Sequence, residues 1–498
     1  MTFAVSMTGI AKSFGTVQAL DNIDLHVRKG TIHAVVGENG AGKTTLMRIL
    51  YGALQPGAGQ IELDGAPIRF PTSHDAIEAG IGMVSQHYGI IPELTCLQNL
   101  VLGSEGGVLL NHRAATKRAG ELASRMDFSF DWNRPAQGLS PSATQKLEIL
   151  KLLWKNARIM ILDEPTAMLS PADGNALFTS LKQLVEEGAT VILVTHRLPE
   201  VFNHCSYVTV LRGGRRVAEM EVSATNDRDL AQMIVGGALT EPPARAEDLR
   251  DELLRVEGLT VRGRRGEEAL KNVSFTIRSG EVLGIAGVDG SGQRELIQAL
   301  AGLRSSQRGS LHLDGEDMTS SRPSERISRG LRLIPEDRHN EGVVEDWSLE
   351  ENAALGQQRL APFARGTLID VDKRRVVAEA IADRFDTRRA SIRMPMRSLS
   401  GGNQQRFVAA RALQLNPKLI LAFQPARGLD LNSTTKVYEG IRQACRQGAG
   451  ALVVSFDLDE LLEYCDRVVV THRGELVDPG TSHSLDREAI GRLMVGAR

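Results

Sequence analysis

A glycine-rich segment, GENGAGKTT, occupies residues 37–45 and has the residue types and spacing that bind phosphate. It follows the β-branched run IHAVV and opens the helical pattern TTLMRIL, which is the strand–loop–helix context that G-x-x-x-x-G-K-[ST] requires. Glycines let backbone N–H groups curve around phosphate oxygens, and a helix N-terminus adds positive partial charge. We expect Lys43 to bridge the β- and γ-phosphates of a nucleotide and Thr44 to ligate Mg²⁺. The alternative, an ordinary glycine-rich turn, is disfavoured by the flanking strand and helix. The expected nucleotide contacts are Gly37, Glu38, Asn39, Gly40, Ala41, Gly42, Lys43, Thr44 and Thr45.

Two adjacent carboxylates end a hydrophobic run, RIMILDEP, at residues 158–165. Asp163 is placed to hold Mg²⁺ or its water, and Glu164 to orient or deprotonate an attacking water. Such a pair at a strand end is usually a solvated turn, but a phosphate loop upstream favours catalysis. His196 ends the apolar run VILVTH and Gln86 ends GMVSQ; alone, each would more often be a structural or loop residue.

A second glycine-rich segment, GVDGSGQRE at residues 287–295, has the same glycine spacing but lacks the lysine. It lies 250 positions after the first, and the alignment extends to both flanks: ALDNIDLHVRKGTIHAVVGENGAG (19–42) matches ALKNVSFTIRSGEVLGIAGVDGSG (269–292). A period this long indicates two copies of one domain rather than a solenoid.

The offset between the copies grows to 260 where LSPSATQK (139–146) aligns with LSGGNQQR (399–406). The second copy therefore carries about ten extra residues between Glu336 and Leu399. A charged, proline-containing stretch with EPPARAED is the natural linker. We expect a first domain at 1–237, a linker at 238–252 and a second domain at 253–498.

The elements that must position these residues alternate in type within each copy. IHAVVG (32–37), RIMILDEP (158–165) and TVILVTH (190–196) have the composition of buried strands. TTLMRILYG and ALFTSLKQLVEEG, which lie between them, have helical spacing. This alternation predicts an α/β unit built around a mainly parallel sheet.

Composition restricts the class of protein. The 59 basic and 61 acidic residues give no strong basic field, so nucleic acid is not a favoured partner. The four cysteines stand singly, which is typical of reduced thiols that pack in a core. No apolar run approaches the ~20 residues of a membrane span, and the N-terminus lacks the apolar core of a signal peptide. We expect a cytoplasmic protein whose membrane link is through a partner.

The second copy has lost the reactive side chains at the matching positions, while its LSGGNQQR segment is intact. Ser400 and Gly402 would present a hydroxyl and backbone N–H groups at a helix start, which suits a γ-phosphate. In LSPSATQK, Ser140 remains, but Pro141 removes an N–H and Ser142 replaces a glycine. We expect almost no catalysis from the second copy's own phosphate-loop and strand-end positions. The replacements are Gln293 for Lys43, Arg294 for Thr44, Glu336 for Gln86, Phe423 for Asp163, Gln424 for Glu164 and Phe456 for His196.

The order of GENGAGKT, Gln86, an LS-x-x-x-Q segment, ILDEP and His196 resembles that of an ABC-type ATPase, over nearly the whole chain and twice. The resemblance implies two tandem P-loop (RecA-like) domains of the α/β class, each with an antiparallel β subdomain and a helical subdomain, that bind ATP and Mg²⁺. It implies that Phe14 stacks on adenine, that Gln86 senses Mg²⁺ and water and links the site to a membrane partner, and that His196 contacts the γ-phosphate. The loop after ILDEP, which holds an Asp in most relatives, reads AMLS here and includes Leu169 and Ser170.

Domains of this family work as a head-to-tail pair, with ATP between the phosphate loop of one and the signature loop of the other. Pairing within this chain would combine the intact phosphate loop of the first copy with the intact signature of the second, so that all losses fall in the other site. The alternative is a worn second copy with a leftover LSGGN, but independent decay would not sort the losses in this way. The resemblance predicts one hydrolytic and one degenerate site. The signature residues that would complete the hydrolytic site are Ser400, Gly401, Gly402 and Asn403.

Fused pairs with IPEDR, LSGGNQQ and QPARGLD in the second half resemble the ATPase subunits of bacterial importers for monosaccharides and nucleosides. The GSGQ loop and MVSQHYGIIPELTCLQNLVLG favour the nucleoside-type branch, with ribose- and galactose-type relatives as the close alternative. The resemblance implies a peripheral protein on the cytoplasmic face of the inner or plasma membrane. It implies two permease subunits docked after Gln86, at 87–103, and after Glu336, at 337–356, and an extracytoplasmic solute-binding protein that acts indirectly.

An apolar cluster follows Gln86, and it either forms a small local core or lines a groove for a cytoplasmic helix of the permease. We expect the groove for part of it. Its members are His87, Tyr88, Ile90, Ile91 and Leu94.

Other classes of paired ATPase fit less well. A soluble ribosome-associated ATPase would usually have two intact sites and a long basic linker, and an exporter half would carry membrane spans or a different second-half signature. A DNA-repair ATPase would have a long coiled-coil insertion between Gln86 and Ser140, where only 53 residues lie.

Overall fold

The computed structural model divides into two compact units, Met1–Leu239 and Thr240–Arg498. No helix among the described residues is long and apolar enough to cross a bilayer. The four cysteines are free thiols, and three of them are buried. The structure describes residues 2–15, 17–85, 89–104, 111–126, 128–139, 141–166, 169, 171–237, 242–246, 251–263, 266–366, 368–479, 487–494 and 496.

The first unit is built on a six-stranded sheet and a separate four-stranded sheet. Its strands are β1 (Phe3–Phe14), β2 (Val17–Arg28), β3 (Ile32–Gly37), β4 (Ala58–Leu63), β5 (Ala66–Ile68), β6 (Ile81–Val84), β7 (Ile159–Asp163), β8 (Thr190–Val194), β9 (Tyr207–Arg212) and β10 (Arg215–Glu221). Its helices are α1 (Lys43–Leu50), α2 (Ser73–Glu78), α3 (Cys96–Val101), α4 (His112–Arg125), α5 (Pro141–Trp154), α6 (Pro171–Glu186), α7 (Leu198–His204) and α8 (Asp227–Val235).

The six-stranded sheet has the order β10-β9-β3-β8-β7-β6, parallel except for β10. Strands β3, β7 and β8 are buried along their whole length, which explains why the sequence shows continuous apolar runs here and not alternation. Strands β7 and β8 end at Asp163 and Val194, so His196 lies two residues beyond its strand and not at the strand end.

Two further layers complete the first unit. The antiparallel sheet β2-β1-β4-β5 shares a core with α1, in which Met7, Leu25 and Leu46 are fully buried. Helices α3, α4 and α5 pack together around a second core that includes Leu97 and Leu150. The predicted α/β domain with an antiparallel β subdomain and a helical subdomain is confirmed.

The second unit repeats this architecture, with a six-stranded sheet of order β16-β19-β20-β13-β21-β22 and an antiparallel sheet of order β12-β11-β14-β15. Its strands are β11 (Glu252–Arg262), β12 (Glu268–Arg278), β13 (Val282–Ala286), β14 (Arg308–Leu313), β15 (Glu316–Asp317), β16 (Leu331–Ile334), β17 (Ala364–Arg365), β18 (Leu368–Ile369), β19 (Leu419–Phe423), β20 (Gly450–Val454), β21 (Arg467–His472) and β22 (Glu475–Val477). Its helices are α9 (Gln293–Ala301), α10 (Pro323–Ser328), α11 (Leu349–Ala353), α12 (Val371–Arg384), α13 (Gly401–Ala412), α14 (Leu431–Arg446), α15 (Leu458–Tyr464) and α16 (Arg487–Met494).

The extra residues of the second copy fall in two places. Each unit has one isolated β-bridge in its helical part, Thr95–Pro135 in the first and Ser348–Pro395 in the second. The first bridge residues are offset by 253 and the second by 260, so three residues are added before Ser348 and seven after it. A π-helical turn, Arg338–Gly342, lies in the first interval and the hairpin β17–β18 in the second.

Candidate functional site

The phosphate loop of the first unit lies between β3 and α1. Gly37 and Gly42 have φ of 156° and 101°, and a Cβ on Gly37 would lie 2.2 Å from the carbonyl oxygen of Leu211. The side chain of Lys43 is buried, and its Nζ donates to the carbonyl oxygens of Gly37 at 2.7 Å and Glu38 at 3.0 Å. The loop therefore presents a cation and a helix start at one point, which suits a phosphate group.

Thr44 and Asp163 bring two oxygen ligands together across the sheet. The Thr44 hydroxyl donates to Oδ2 of Asp163 at 3.1 Å, and Asp163 is buried at the end of β7. Burial raises the pKa of Asp163 above its ordinary value, although the hydrogen bond from Thr44 and the charge of Lys43 act in the opposite direction. A hydroxyl and a carboxylate at this distance are oxygen donors of the kind that Mg²⁺ prefers, so the residues present fit that ion.

Glu164 and His196 form a second pair beside the first. Oε1 of Glu164 lies 3.0 Å from Nδ1 of His196. Glu164 has a φ of 51°, and its backbone N–H donates to the carbonyl oxygen of Val194 at 2.8 Å, which anchors this uncommon conformation. Burial alone would raise the pKa of Glu164, but the hydrogen bond and charge of His196, with the charges of Lys43 and Arg197, hold it below the ordinary value. The carboxylate is thus ionised at neutral pH and able to accept a proton.

A set of polar residues behind this pair was missed by sequence reasoning. Oε2 of Glu200 accepts a hydrogen bond from the Thr195 hydroxyl at 2.8 Å, and its Oε1 accepts from the Thr166 hydroxyl. The backbone N–H of Arg197 donates to the Thr195 hydroxyl at 3.0 Å. These bonds fix the turn that carries His196. The sequence signal that could have identified these residues is Glu200, a glutamate on α7 one helical turn after His196.

Several predicted site residues are not drawn into this cluster. Phe14 is 47% exposed at the end of β1, with Nζ of Lys12 5.6 Å from its ring centre. Thr45 lies in the first turn of α1, and Leu169 is buried in the core of the helical subdomain. Five other predicted positions lie outside the described residues: Gln86, His87, Tyr88, Ser140 and Ser170.

The second unit keeps the shape of the loop without its charges. Gly287 and Gly292 have φ of 155° and 105°, close to their first-unit counterparts. The buried Gln293 donates from Nε2 to the carbonyl oxygen of Val288 at 3.1 Å, and so caps the loop as the lysine does. A glutamine dipole keeps the loop closed but carries no net charge for a phosphate.

The strand ends of the second unit are apolar or neutral. Phe423 and Phe456 meet edge to face, with ring centres 5.9 Å apart and planes at 76°. Gln424 has a φ of 53° and a backbone bond to Val454 at 2.8 Å, which matches the backbone of its glutamate counterpart. Its buried Nε2 atom has no hydrogen-bond partner among the described residues. These positions offer neither an anionic metal ligand nor a proton acceptor of carboxylate strength.

The signature segment of the second unit is ordered around a helix start. Ser400 is the N-cap of α13, and Nδ2 of Asn403 donates to its hydroxyl oxygen at 2.9 Å. A Cβ on Gly402 would lie 3.4 Å from the carbonyl oxygen of Gly428, an ordinary van der Waals distance. In the first unit, α5 begins at Pro141. The second unit thus places a serine at the N-cap of a 12-residue helix, with its hydroxyl oxygen bonded to the Asn403 side chain.

The first unit has the geometry of a P-loop nucleoside triphosphatase, and the second repeats its fold. The family model described as ABC transporter matches residues 20–167 and 270–426. The chain therefore belongs to the ABC transporter family and is an ABC-type ATPase, as the sequence predicts. Domains of this family bind ATP.

Two curated relatives align with almost the whole chain. The glucose import ATP-binding protein TsgD13 of Haloferax volcanii is 39% identical over 98% of this chain and 95% of its own length. The nucleoside import ATP-binding protein NupA of Lactococcus lactis is 36% identical over 99% of this chain and 98% of its own length. A solved archaeal ribosome recycling factor, aABCE1, covers 98% of this chain and 92% of its own with a TM-score of 0.65. Its identity is 18%, so that likeness shows the fold alone.

Proposed function

We propose that this chain is the energy-coupling ATPase subunit of an importer for a simple sugar or a nucleoside, with one hydrolytic and one degenerate site. The importer class is supported by relatives at 34–39% identity, which are named for import of glucose, nucleosides, guanosine and ribose. The ribosome-associated alternative has only a fold likeness in its favour. The proposed division of labour follows the predicted boundaries: domains at 1–237 and 253–498, joined by 238–252.

One observation carries the one-site proposal: the contrast between the two strand ends. In the first unit, Glu164 and His196 lie 3.0 Å apart beside a Thr44–Asp163 pair at 3.1 Å. In the second unit, an aromatic contact fills the matching positions. A carboxylate can act as a general base and can ligate Mg²⁺, and of these two strand ends only that of the first unit carries carboxylates.

We assign the roles accordingly. Lys43 binds the β- and γ-phosphates, Thr44 and Asp163 would hold Mg²⁺, and that ion would offset the phosphate charge. Glu164 accepts a proton from the attacking water, and His196 orients that carboxylate and contacts the γ-phosphate.

The remaining roles come from the family. Phe14 stacks on adenine, Gln86 senses Mg²⁺ and water, and Thr45 with residues 37–42 lines the phosphates. Intramolecular pairing of the domains brings Ser400, Gly401, Gly402 and Asn403 to the γ-phosphate.

A groove in the first unit supports docking of a permease close to the region predicted for it. Tyr51, Met83 and Glu148 line it, and Lys151 crosses its edge to donate to the carbonyl oxygen of Gly89 at 3.0 Å. Of the predicted apolar cluster, Ile90 packs against the helical core and Ile91 is 40% exposed. We propose that a cytoplasmic helix of one permease subunit occupies this groove and that a second subunit docks at 337–356. The protein would lie peripherally on the cytoplasmic face of the membrane, and an extracytoplasmic solute-binding protein would act through the permeases.

Matched substitutions in the two loops test the one-site proposal. Lys43→Ala should abolish steady-state ATP hydrolysis, whereas Gln293→Ala should leave the rate close to that of the wild type. The measurement is phosphate release by the full chain, alone and with its permeases. Hydrolysis by Lys43→Ala near the wild-type rate contradicts a single catalytic site in the first domain.

Uptake of labelled adenosine, ribose and galactose by vesicles that hold the whole importer tests the solute class. Transport of none of the three solutes contradicts the proposed class.

A further inference from the structure

Three positions around the second unit's phosphate loop have exchanged neutral side chains for complementary charges. Arg294 lies in the first turn of α9, Glu336 follows β16, and Arg427 follows β19. Loss of function by random substitution has no reason to produce an acid and two bases that meet. The first-unit residues at the matching positions are Thr44, Gln86 and Ala167.

The three charges do meet. A guanidinium nitrogen of Arg294 donates to Oε2 of Glu336, and Nη1 of Arg427 lies 3.6 Å from Oε1 of the same carboxylate. The Glu336 side chain is 7% exposed, so it is largely withdrawn from water. Removal of one partner from such a pair leaves a buried charge without compensation, which is strongly unfavourable. We call Arg294, Glu336 and Arg427 the ionic hub; it joins three chain segments through side chains alone.

The segment that leaves the hub is attached to the signature helix at two points. Arg338, two residues after Glu336, begins the π-helical turn, and a Cβ on Gly401 would lie 2.4 Å from its Nη2. The guanidinium of Arg338 therefore rests on the backbone of a signature glycine. Further along α13, Arg411 donates to the carbonyl oxygen of Gly342 at 2.7 Å.

Among the described residues of the first unit, only the second of these two attachments, the one made by Arg411, has a counterpart. Lys151 of α5 donates to the carbonyl oxygen of Gly89 at 3.0 Å, as Arg411 does to Gly342 in the second unit. The position that matches Glu336 lies outside the described residues. At the phosphate loop, Thr44 bonds to Asp163, a residue that the second unit has replaced.

We propose that the ionic hub holds the signature helix of the second domain in place without metal or nucleotide, and that Arg338 transmits this constraint to Gly401. The inference rests on the proposed function, in which the signature loop serves the nucleotide bound by the first domain. Arg294 supplies a fixed positive charge near the start of α9, where a working phosphate loop would use a bound cation. The three hub residues and Arg338 are positioning residues: they act on the backbone at Gly401, and not on the reacting atoms.

Substitution of Arg294 in the full-length protein tests the hub. In Arg294→Met, hydrogen exchange of the amide groups of 399–405 in nucleotide-free protein should accelerate at least about threefold, because the helix start loses a constraint. ATP hydrolysis should fall by roughly two- to thirtyfold, the range that corresponds to the coupling energies of residues acting at a distance. Arg294→Lys keeps the positive charge, so amide exchange of 399–405 and ATP hydrolysis should both return close to their wild-type rates. Arg446→Met, which breaks an exposed ion pair with Glu439 at 3.2 Å, is the matched control and should change neither.

The two readouts separate this inference from the proposed function. If the amides of 399–405 exchange in Arg294→Met at the wild-type rate, the proposed role of the hub is wrong. It is also wrong if EDTA, which removes metal, changes the exchange rate of these amides in the wild-type protein. Equal exchange in Arg294→Lys and Arg294→Met also overturns it, because the role would then be steric. Persistent hydrolysis in Lys43→Ala overturns the one-site function instead, while the exchange data still decide the hub.

Discussion

The sharpest test of the site is Glu164→Gln, which removes one proton acceptor and little else. The amide has the shape of the carboxylate, and its oxygen is able to accept the hydrogen bond that now joins Glu164 to His196 at 3.0 Å. A positioned general base contributes about 10²- to 10⁴-fold to a rate. At about 1.4 kcal/mol per tenfold, the variant should lose roughly 3 to 5 kcal/mol of transition-state stabilisation. ATP binding should persist, since Lys43 and the loop are untouched.

The assay pairs phosphate release at saturating MgATP with equilibrium binding of a fluorescent ATP analogue. The control is Gln424→Glu, because the matching backbone has a φ of 53° and the same anchoring bond, to Val454. We expect no added activity there, since Gln293 and Phe423 stand in place of the lysine and the metal-binding aspartate. More than a few percent of the wild-type rate in Glu164→Gln, with binding intact, would refute the assignment of Glu164 as the base.

Two further predictions concern the neighbours of this carboxylate. His196→Ala removes the hydrogen bond and charge that lower the pKa of Glu164, and leaves burial, which raises it. The acidic limb of the kcat–pH profile should therefore move to higher pH, and an unchanged limb would show that the histidine does not tune Glu164. Ser400→Arg should abolish hydrolysis while Ser140→Arg has a milder effect; equal losses in a phosphate-release assay would contradict the proposed pairing of loops.

The parts of the site that could be predicted from sequence are those fixed by local backbone chemistry. The loop around Lys43 can be predicted from the glycine spacing between a strand and a helix. Glycine adopts a φ such as the 101° of Gly42 on its own, so no contact with a residue distant in sequence is needed to stabilise it. The proximity of Thr44 and Asp163, 119 residues apart, is predicted only through the Mg²⁺ role expected of both, and the sheet order explains it, since β8 alone separates β3 from β7.

The parts that could not be predicted depend on side chains that meet through tertiary packing. Glu200 lies on α7, which follows β8, and reaches Thr166, which follows β7, because β7 and β8 are neighbours in the sheet. Arg294 and Glu336 are 42 residues apart, and neither belongs to a motif that predicts an ion pair. In the sequence, Arg294 and Glu336 stand only as replacements that remove the functions of Thr44 and Gln86. In the structure, the two side chains contact each other.

The replacements in the second unit remove reactive side chains and introduce side chains that contact one another. Buried carboxylates such as Asp163 are unfavourable for folding until a ligand compensates them, and desolvation raises the pKa of this one. The second unit removes that demand: Phe423 and Phe456 pack edge to face, and such aromatic pairs contribute about 0.5–1.5 kcal/mol beyond their buried area. Glu336, a buried carboxylate beside the second phosphate loop, has two arginines within reach. Under the proposed function, the second domain need not hydrolyse ATP, so its own side chains are free to hold the loop region together. The same proposal gives this domain the task of presenting a signature helix, which requires that rigidity.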